Sequence, residues 1–249
     1  MSTDTQNIID RLFAAGSHFG FSKSRRHPTM AKYLFGTKDG SDIIDLEVTA
    51  ESLQKAQETL SEAGKNGKTV LFVGTKDEVS KIVKDAATKA EMPFVVNRWI
   101  GGMLTNFGEI KKRIERLKTL IDQGESGELE RKYTKKERVL IGRERDKLNF
   151  NFAGIKDMDR TPALMVVVDP RHDHIAISEA KHMNVPVVGV MSSDCDENTV
   201  TQPVVVNDAL TSSVTLVLDE LVDAYIEGRK AFVPKPTAKD KPYRRDRRN

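Results

Sequence analysis

The chain has 249 residues, of which 31% are charged, and its 40 lysines and arginines against 37 acids give a formal net charge of +3. This length accommodates one large domain or two small ones with an ample core, and so small a net charge says little about partners. The single cysteine excludes an intrachain disulfide and a cysteine-rich zinc site, and no apolar run approaches the roughly 20 residues of a membrane span.

The N-terminal region begins without a basic segment followed by an apolar one, so we expect no secretion signal and a cytoplasmic location. A short amphipathic helix is predicted over residues 4–15. The loop of residues 23–28 then carries several potential cations and no acid, so it is either a solvated turn or a phosphate contact. Residues 32–35 and 42–46 are predicted to pair as strands about a turn at 37–40.

Beyond this hairpin, apolar runs alternate with amphipathic helices. A continuous apolar run is typical of a strand that is buried on both faces. The predicted strands are residues 69–73, 92–96, 163–168, 186–190 and 203–206. The predicted helices are residues 49–63, 77–90, 173–183 and 210–227. Strands separated by helices of roughly 10–15 residues predict right-handed βαβ units, so we predict an α/β fold with a doubly wound, mainly parallel sheet of the Rossmann or flavodoxin type.

A segment of a different kind interrupts this alternation after residue 105. Asn106 and Glu109 have the spacing of a capping box, and apolar residues then recur every three or four positions, as in a coiled-coil seam. That seam consists of Phe107, Ile110, Ile114, Leu117 and Ile121. A second helix, with exposed cations, is predicted to return over residues 134–148. The segment is therefore predicted to be an inserted α-helical coiled-coil hairpin.

The domain organisation follows from this insertion. The C-terminal residues are rich in proline, lysine and arginine and nearly empty of core-forming residues, which is typical of a flexible segment. The predicted parts are an α/β body at residues 1–105, the coiled-coil hairpin arm at 106–151, the second part of the body at 152–228, and a basic, flexible tail at 229–249.

The insertion is preceded by residues 97–106, which include the only tryptophan and a glycine pair. Gly101 and Gly102 allow a sharp turn, because neither carries a Cβ. Arg98 beside Trp99 offers a cation next to a flat ring, which suits a phosphate and a stacked base. The alternative is that Trp99 packs the joint between insertion and body, the commoner role of a tryptophan.

Two stretches have features of enzyme sites, and we favour structural roles for both. Residues 74–76 follow a strand and open a helix, as a phosphate site does, but the upstream glycine of a P-loop is missing. Residues 169–174 contain two histidines and two aspartates, which suit a metal or acid–base chemistry. Asp173 is equally well placed to cap the following helix.

The single cysteine, Cys195, is not expected to act as a nucleophile. It has an acid on either side, which raises the pKa of its thiol.

Seven sequence blocks, taken in order, resemble one family, the bacterial small-subunit ribosomal protein S-two. They are residues 15–20, 43–47, 71–76, 97–106, 134–137, 154–158 and 169–184. The resemblance implies an α/β body with a protruding coiled-coil hairpin, and a structural protein without catalysis, cofactor or small-molecule substrate. It also implies that the chain joins the small (30S) ribosomal subunit, binds 16S ribosomal RNA and neighbouring ribosomal proteins, and assists docking of the ribosomal protein S-one.

The chain departs from the family pattern at Phe21, at residues 192–198 and at Ala209. These changes argue against carrying over the metal site that some members form near His18, so no metal ligands are predicted.

The predicted phosphate contacts are cations in the basic loop, before the insertion and on the two inserted helices, because lysine and arginine bind RNA mainly through its phosphates. They are Lys23, Arg25, Arg26, Arg98, Lys111, Lys112, Arg113, Lys135 and Lys136. Two alternatives stay open: a nucleotide-binding α/β enzyme that uses residues 74–76 and 169–174, and an adaptor whose helical arm recruits a protein instead of RNA.

Overall fold

The computed structural model describes residues 3–232, with side chains from residue 6 onward. Its strands are β1 (Phe19–Ser22), β2 (Leu34–Lys38), β3 (Ser41–Ile44), β4 (Val70–Val73), β5 (Phe94–Val95), β6 (Leu164–Val168), β7 (Val187–Met191) and β8 (Gln202–Val205). Its helices are α1 (Thr3–Ala14), α2 (Leu46–Lys65), α3 (Asp77–Lys89), α4 (Phe107–Glu125), α5 (Glu128–Lys132), α6 (Lys135–Phe152), α7 (His174–His182) and α8 (Thr211–Lys230). Among the helices in this range, none has the length and hydropathy that a membrane crossing requires. Most of the predicted basic tail, residues 233–249, lies outside the described residues.

Five strands form a wholly parallel sheet in the order β5-β4-β6-β7-β8. Numbered within the sheet, this is the 2-1-3-4-5 order of flavodoxin-like folds. The strands β4, β6 and β7 are buried along their whole length, as apolar strands covered on both faces must be. The predicted α/β fold with a doubly wound parallel sheet is confirmed.

Helices cover both faces of this sheet, because successive side chains of a strand point to opposite sides. Phe72 of β4 packs in one apolar cluster with residues of α2, α3 and α8. Its neighbour Leu71 packs in a second cluster, which contains residues of α4 and α7 together with Trp99 and Phe152. The first inserted helix, α4, therefore lies on the face of the sheet opposite to α2 and α8.

The helices α2 and α8 touch backbone to backbone. A Cβ added to Gly64 would lie 2.4 Å from a carbonyl oxygen of α8, and one added to Gly228 would lie 2.1 Å from a carbonyl oxygen of α2. Gly64 thus lies inside α2, which continues to Lys65, whereas the sequence predicted that the helix ends at residue 63. The helix also begins earlier than predicted, at Leu46, because the Asp45 carboxylate caps it by accepting the amide of Glu47 at 2.9 Å.

The three remaining strands form an antiparallel sheet in the order β1-β3-β2. Asp39 and Gly40 connect β2 to β3 with φ angles of 51° and 79°, the left-handed conformations that two-residue hairpin turns require. The hairpin prediction is confirmed, except that residues 32–33 end a 3-10 helix, Pro28–Tyr33. The strand β1 was not predicted, because none of its residues is fully buried and no apolar run marks it.

The insertion contains two long helices, α4 and α6, joined by the short helix α5. The residues that α4 buries are Ile110, Ile114, Leu117 and Leu120. Leu120 is buried although it was not predicted, the predicted Phe107 and Ile121 are partly buried against the same cluster as Ile110, and Phe152 is the buried residue of α6. Arg116 of α4 donates two hydrogen bonds of 3.1 Å to Glu144 of α6. The coiled-coil character of this pair and the boundaries of the arm stay predictions.

The helix caps of the insertion differ from the prediction. The Asn106 side chain makes no capping hydrogen bond to α4, and the carboxylate of Glu109 binds Lys112 at 2.6 Å. The capping box predicted there is wrong. A complete box begins α6 instead, where Thr134 and Glu137 each accept the other's backbone N–H. Thr134 and Glu137 have the same three-residue spacing as Asn106 and Glu109, so the sequence contains the signal for this second capping box as well.

Candidate nucleic-acid interface

The stretch before the insertion is held by one buried carboxylate, that of Glu179 on α7. Its Oε1 accepts the indole N–H of Trp99 at 3.1 Å and the amide of Gly102 at 2.8 Å. Its Oε2 accepts the amides of Leu104 and Thr105 at 3.0 and 3.1 Å, and the Thr105 hydroxyl at 3.2 Å. Glu179 therefore fixes the path of the chain from the sheet into α4.

These donors also set the charge state of Glu179. Burial by itself raises the pKa of this carboxyl, but the hydrogen bonds from the Leu104 amide and the Trp99 indole outweigh it, so the net pKa is lowered. Trp99 is only 6% exposed. The interpretation of Trp99 as a platform for an RNA base is wrong, and the packing alternative is the one the structure adopts. Arg98, its neighbour, is exposed.

The three predicted cations of the basic loop have different surroundings. Lys23 is exposed. Arg25 is exposed as well, with its guanidinium 4.3 Å from the centre of the Phe21 ring and 3.3 Å from Asp194. Arg26 is half-buried, and its Nε donates to Oδ2 of the fully buried Asp42 at 2.8 Å while Nη2 binds Oδ1 of the same residue. Arg26 therefore neutralises a buried acid, and this role competes with binding a phosphate.

The basic loop is anchored to the segment after β7. The Ser193 carbonyl accepts the amide of His27 at 2.9 Å, and the Ser193 hydroxyl accepts the amide of Phe21 at 2.9 Å. The buried Asp194 carboxylate also binds Arg171 at 2.7 Å, in addition to Arg25. Ser193 and Asp194 thus hold the loop, and Phe21 provides the ring beneath Arg25.

The predicted cations of the inserted helices all lie at the surface. Lys111, Lys112 and Arg113 are exposed on α4, and Lys135 and Lys136 are exposed in the first turn of α6. Lys112 is paired with Glu109, as described above. Within residues 3–232, five exposed predicted cations besides Lys23 have no acid within ion-pair distance: Arg98, Lys111, Arg113, Lys135 and Lys136.

The opposite face of the sheet carries acidic residues. A groove of about 580 Å³ runs between α2 and α8 and contains one cation, Lys65. Its acidic lining residues are Glu58, Glu62, Glu220, Asp223 and Glu227. Phosphates are repelled by such a groove, whereas α4 and its cations lie on the other side of the sheet. The acidic groove and the cations of α4 therefore lie on opposite faces of the sheet.

The carboxyl ends of β4 and β6, the topological switch point of the sheet, are filled by the chain's own carboxylates. The Asp173 carboxylate accepts the amide of Thr75 at 3.1 Å and its hydroxyl at 2.7 Å. Lys76 lies 3.3 Å from Asp169. A phosphate in this crevice would meet two acids where it needs donors. Asp173 is the N-cap residue of α7, as its position predicted, but its carboxylate makes no capping bond to the helix.

The histidines beside this crevice do not join a metal-capable group. His172 and His174 are exposed. Of the described residues, three place ligand atoms within 4.8 Å of one another, namely Asp169, Cys195 and Asp208. His18 is not in this group; its ring stacks against Phe13, with centroids 4.4 Å apart.

Asp208 is the least solvated acid of this group. It is 1% exposed, and neither carboxylate oxygen has a hydrogen-bond partner among the described residues. Burial and the nearby charge of Asp169 raise its pKa from 3.8 to about 7, although Lys76 acts in the opposite direction. Burial, with Asp208 and Asp194, also raises the pKa of the Cys195 thiol, as the flanking acids predicted. The thiol therefore stays protonated and is a poor nucleophile.

Sequence reasoning missed Glu179, although a signal for it exists. Glu179 lies three residues after Ala176 and one before Ala180, and both alanines are fully buried. A charged residue on the apolar face of a helix needs partners when it is buried. Its partners lie more than 70 residues earlier in the chain, and only the fold brings them together.

Comparisons with known proteins agree with this fold and with the matched sequence blocks. A family model described as Ribosomal protein S2 matches residues 12–228. The small ribosomal subunit protein uS2 of Acidothermus cellulolyticus is 39% identical over 223 residues, which are 90% of this chain and 81% of the relative. The protein of the same name from Picosynechococcus is 41% identical over 221 residues, 89% of this chain and 86% of the relative. That from Corynebacterium diphtheriae is 42% identical over 222 residues, 88% and 83% of the two chains.

Proposed function

The chain belongs to the ribosomal protein S2 family, a family of structural proteins of the small ribosomal subunit, and we propose that it binds 16S ribosomal RNA through its exposed, unpaired cations. The observation that carries this proposal is the exposure of Lys23, Arg98, Lys111 and Arg113 without an acidic partner among residues 3–232. Cations that face solvent unpaired bind phosphates and release counterions from RNA. Such binding is sensitive to salt and only weakly specific for sequence.

The proposed surface differs from the predicted set of residues at three cations, because Arg25 and Lys112 each already pair with an acid. Arg26 is excluded from it, because Asp42 and Thr37 already bind its guanidinium. The exposed cations of the inserted helices make up the larger part of the surface. We place the phosphate backbone along α4 and the first turn of α6, as a coiled-coil hairpin arm between residues 106 and 151 would present it.

The proposal includes contacts with neighbouring ribosomal proteins and a role in docking the ribosomal protein S-one. An exposed aromatic surface supports this part. Phe13, Phe19 and Phe35 are 61%, 50% and 81% exposed, and the rings of Phe13 and Phe19 flank His18. Exposed aromatic residues in such number are typical of protein interfaces. The protein would accordingly act in the cytoplasm, as part of the ribosome.

The enzyme alternative has less support than this structural role. Its two candidate stretches, residues 74–76 and 169–174, bind each other. Thr75 donates hydrogen bonds to Asp173, and Lys76 forms an ion pair with Asp169. The adaptor alternative remains compatible with the aromatic surface, but it leaves the unpaired cations of α4 without a function.

The affinity for 16S ribosomal RNA, measured at a series of salt concentrations, tests the proposal. A protein that neutralises several phosphates loses affinity steeply with salt, with a slope of about −0.7 to −0.9 per phosphate in a double-logarithmic plot. We expect a slope steeper than about −3. Affinity that is independent of salt, or equal for the RNA and for an uncharged polymer, would contradict it.

A further inference from the structure

A second concave surface lies beside the edge strand β5, between α3 and the C-terminal end of α6. The groove has a volume of about 530 Å³, and its lining includes Lys81 and Lys84 of α3, Asn97, and Asn149, Phe150 and Asn151 of α6. One wall is closely packed on the strand, because α6 is followed by Gly154, where an added Cβ would lie 2.2 Å from the carbonyl oxygen of Phe94. The end of α6 is therefore packed directly on β5.

The groove is cationic. Lys81 and Lys84 are exposed, and within residues 3–232 neither has an acid within ion-pair distance. Aspartate and glutamate are absent from the lining residues. The groove between α2 and α8 has the opposite composition, with five acids and one lysine. An anion is therefore attracted to the β5 groove and repelled from the other.

The groove also presents a flat ring. Phe150 is 58% exposed, and its carbonyl oxygen accepts the Asn97 side chain at 2.5 Å, which ties its backbone to the chain after β5. An apolar ring in water costs free energy unless a partner covers it. Because its backbone is fixed, Phe150 loses little conformational freedom when a base stacks on its ring.

Three asparagines with groups that suit base edges line the same groove as Phe150. The Asn97 amide donates to Phe150, and the Asn151 amide donates to the Lys147 carbonyl at 3.0 Å. In the described residues, this leaves the side-chain carbonyls of Asn97 and Asn151 and the whole amide of Asn149 without a protein partner. Asparagine amides hydrogen-bond to bases through both donor and acceptor atoms.

We propose that this groove binds one unpaired nucleotide of RNA, with its base stacked on Phe150, its edge bonded to the asparagine amides, and its phosphate near Lys81 and Lys84. The combination of a cationic groove with an exposed ring is how single-stranded nucleic acid is bound. The site rests on the proposed function, since it requires that the chain lie against RNA, and it adds a contact to the base that the cations of α4 do not provide.

Variants of the full-length chain at Phe150, with 16S ribosomal RNA as the probe, test the site. Phe150→Ala is expected to weaken the affinity about tenfold, because stacking on one aromatic ring accounts for a factor of that order. Leu140→Ala is the matched control, since Leu140 is 55% exposed on the same helix, and a change below about twofold is expected. Phe150→Trp should retain affinity and Phe150→Leu should not, because a base stacks on any aromatic ring but not on an aliphatic chain. Thermal unfolding of all four variants should match the unsubstituted chain.

Equal RNA affinity of Phe150→Ala and Leu140→Ala would overturn the nucleotide site while leaving RNA binding by the exposed cations intact. Retained affinity in Phe150→Leu would overturn it as well, because RNA binding would then not need an aromatic ring at this position. The proposed function fails separately, if the unsubstituted chain itself does not bind the RNA. The double variant Lys81→Glu with Lys84→Glu should make the slope of log affinity against log salt concentration shallower by about one unit or more. An unchanged slope would show that no phosphate binds near these two lysines.

Discussion

The indole N–H of Trp99 donates to the Glu179 carboxylate at 3.1 Å, and both residues are buried. This bond joins the turn before α4 to the helix α7. Three backbone amides and one hydroxyl complete the shell of the carboxylate. A charged group in such a site is stabilised only while all of its donors stay in place.

Glu179→Gln is therefore expected to lower the free energy of unfolding by about 2–4 kcal/mol, because the new amide group turns a donor toward backbone N–H groups. Chemical denaturation followed by Trp99 fluorescence measures this change.

The hydrogen bonds to Glu179 also predict that the stability of the unsubstituted chain depends on pH. The pKa of Glu179 is lowered from 4.5 on folding, so the stability it provides is present above pH 4.5 and is lost as pH falls through the folded pKa. Unchanged stability of the variant at pH 7 would contradict this role.

Asp208→Asn is expected to act in the opposite direction. The pKa of Asp208 rises from 3.8 to about 7 on folding, so the folded state keeps a proton that the unfolded state has lost. Stability therefore falls as pH rises from about 4 to about 7, at up to about 1.4 kcal/mol per pH unit. Asparagine has no proton to lose, and we expect the variant to be more stable than the unsubstituted chain by about 1–3 kcal/mol at pH 8.

Thermal unfolding at pH 5 and at pH 8 measures the Asp208 effect as a difference between the two conditions. Asp85→Asn is the control, because Asp85 is exposed and its replacement should change stability equally little at both pH values. A variant of Asp208 that is less stable at pH 8 than at pH 5, relative to the unsubstituted chain, would show that the acid is charged and needed.

Arg26 and Lys23 both lie in the basic loop, and their replacements are expected to separate stability from RNA binding. Arg26→Ala leaves the fully buried Asp42 without its cation, which should lower the free energy of unfolding by about 2–4 kcal/mol. Lys23→Ala removes an exposed side chain and should leave stability within about 0.5 kcal/mol while it weakens RNA binding. Equal stability of the two variants would show that the Arg26–Asp42 pair contributes nothing.

Reversal of Lys111, Lys112 and Arg113 to glutamate is expected to weaken incorporation into small subunits by at least about tenfold without unfolding the body, because the unpaired Lys111 and Arg113 become repulsive toward phosphate and Lys112 no longer neutralises Glu109. The control reverses Lys55, Lys65 and Lys68, which are exposed at or beside the acidic face of α2, so the change in net charge is the same. Reconstitution with labelled protein measures the incorporated fraction. A similar loss of incorporation in both triple variants would indicate a general effect of net charge. It would contradict the proposal that α4 contacts the RNA.

Much of the fold follows from local sequence. The runs around Val70–Val73 and Leu164–Val168 predict strands because a parallel strand covered on both faces consists of apolar residues throughout. The β2–β3 hairpin was predicted because the dipeptide Asp39–Gly40 strongly favours a two-residue hairpin turn. The strand β1 was missed because its residues are not fully buried and its pairing with β3 depends on residues about 20 positions away.

The site was less predictable, because exposure and pairing depend on distant partners. Both arginines of the basic loop look alike in the sequence, yet Arg26 meets Asp42 and Arg25 meets Asp194. Trp99 and Glu179 are separated by 80 positions. The cations of α4 are exposed because helical periodicity places them opposite the buried stripe, whereas their contact with RNA stays a prediction.

Co-sedimentation with small ribosomal subunits through a sucrose gradient tests the central claim most directly. We expect the protein to migrate with the subunit at about 0.1 M salt and to be released as the salt approaches about 1 M, since cations bound to phosphates hold it there. A protein that stays at the top of the gradient at low salt, or that remains bound to the subunit at about 1 M salt, would contradict the claim.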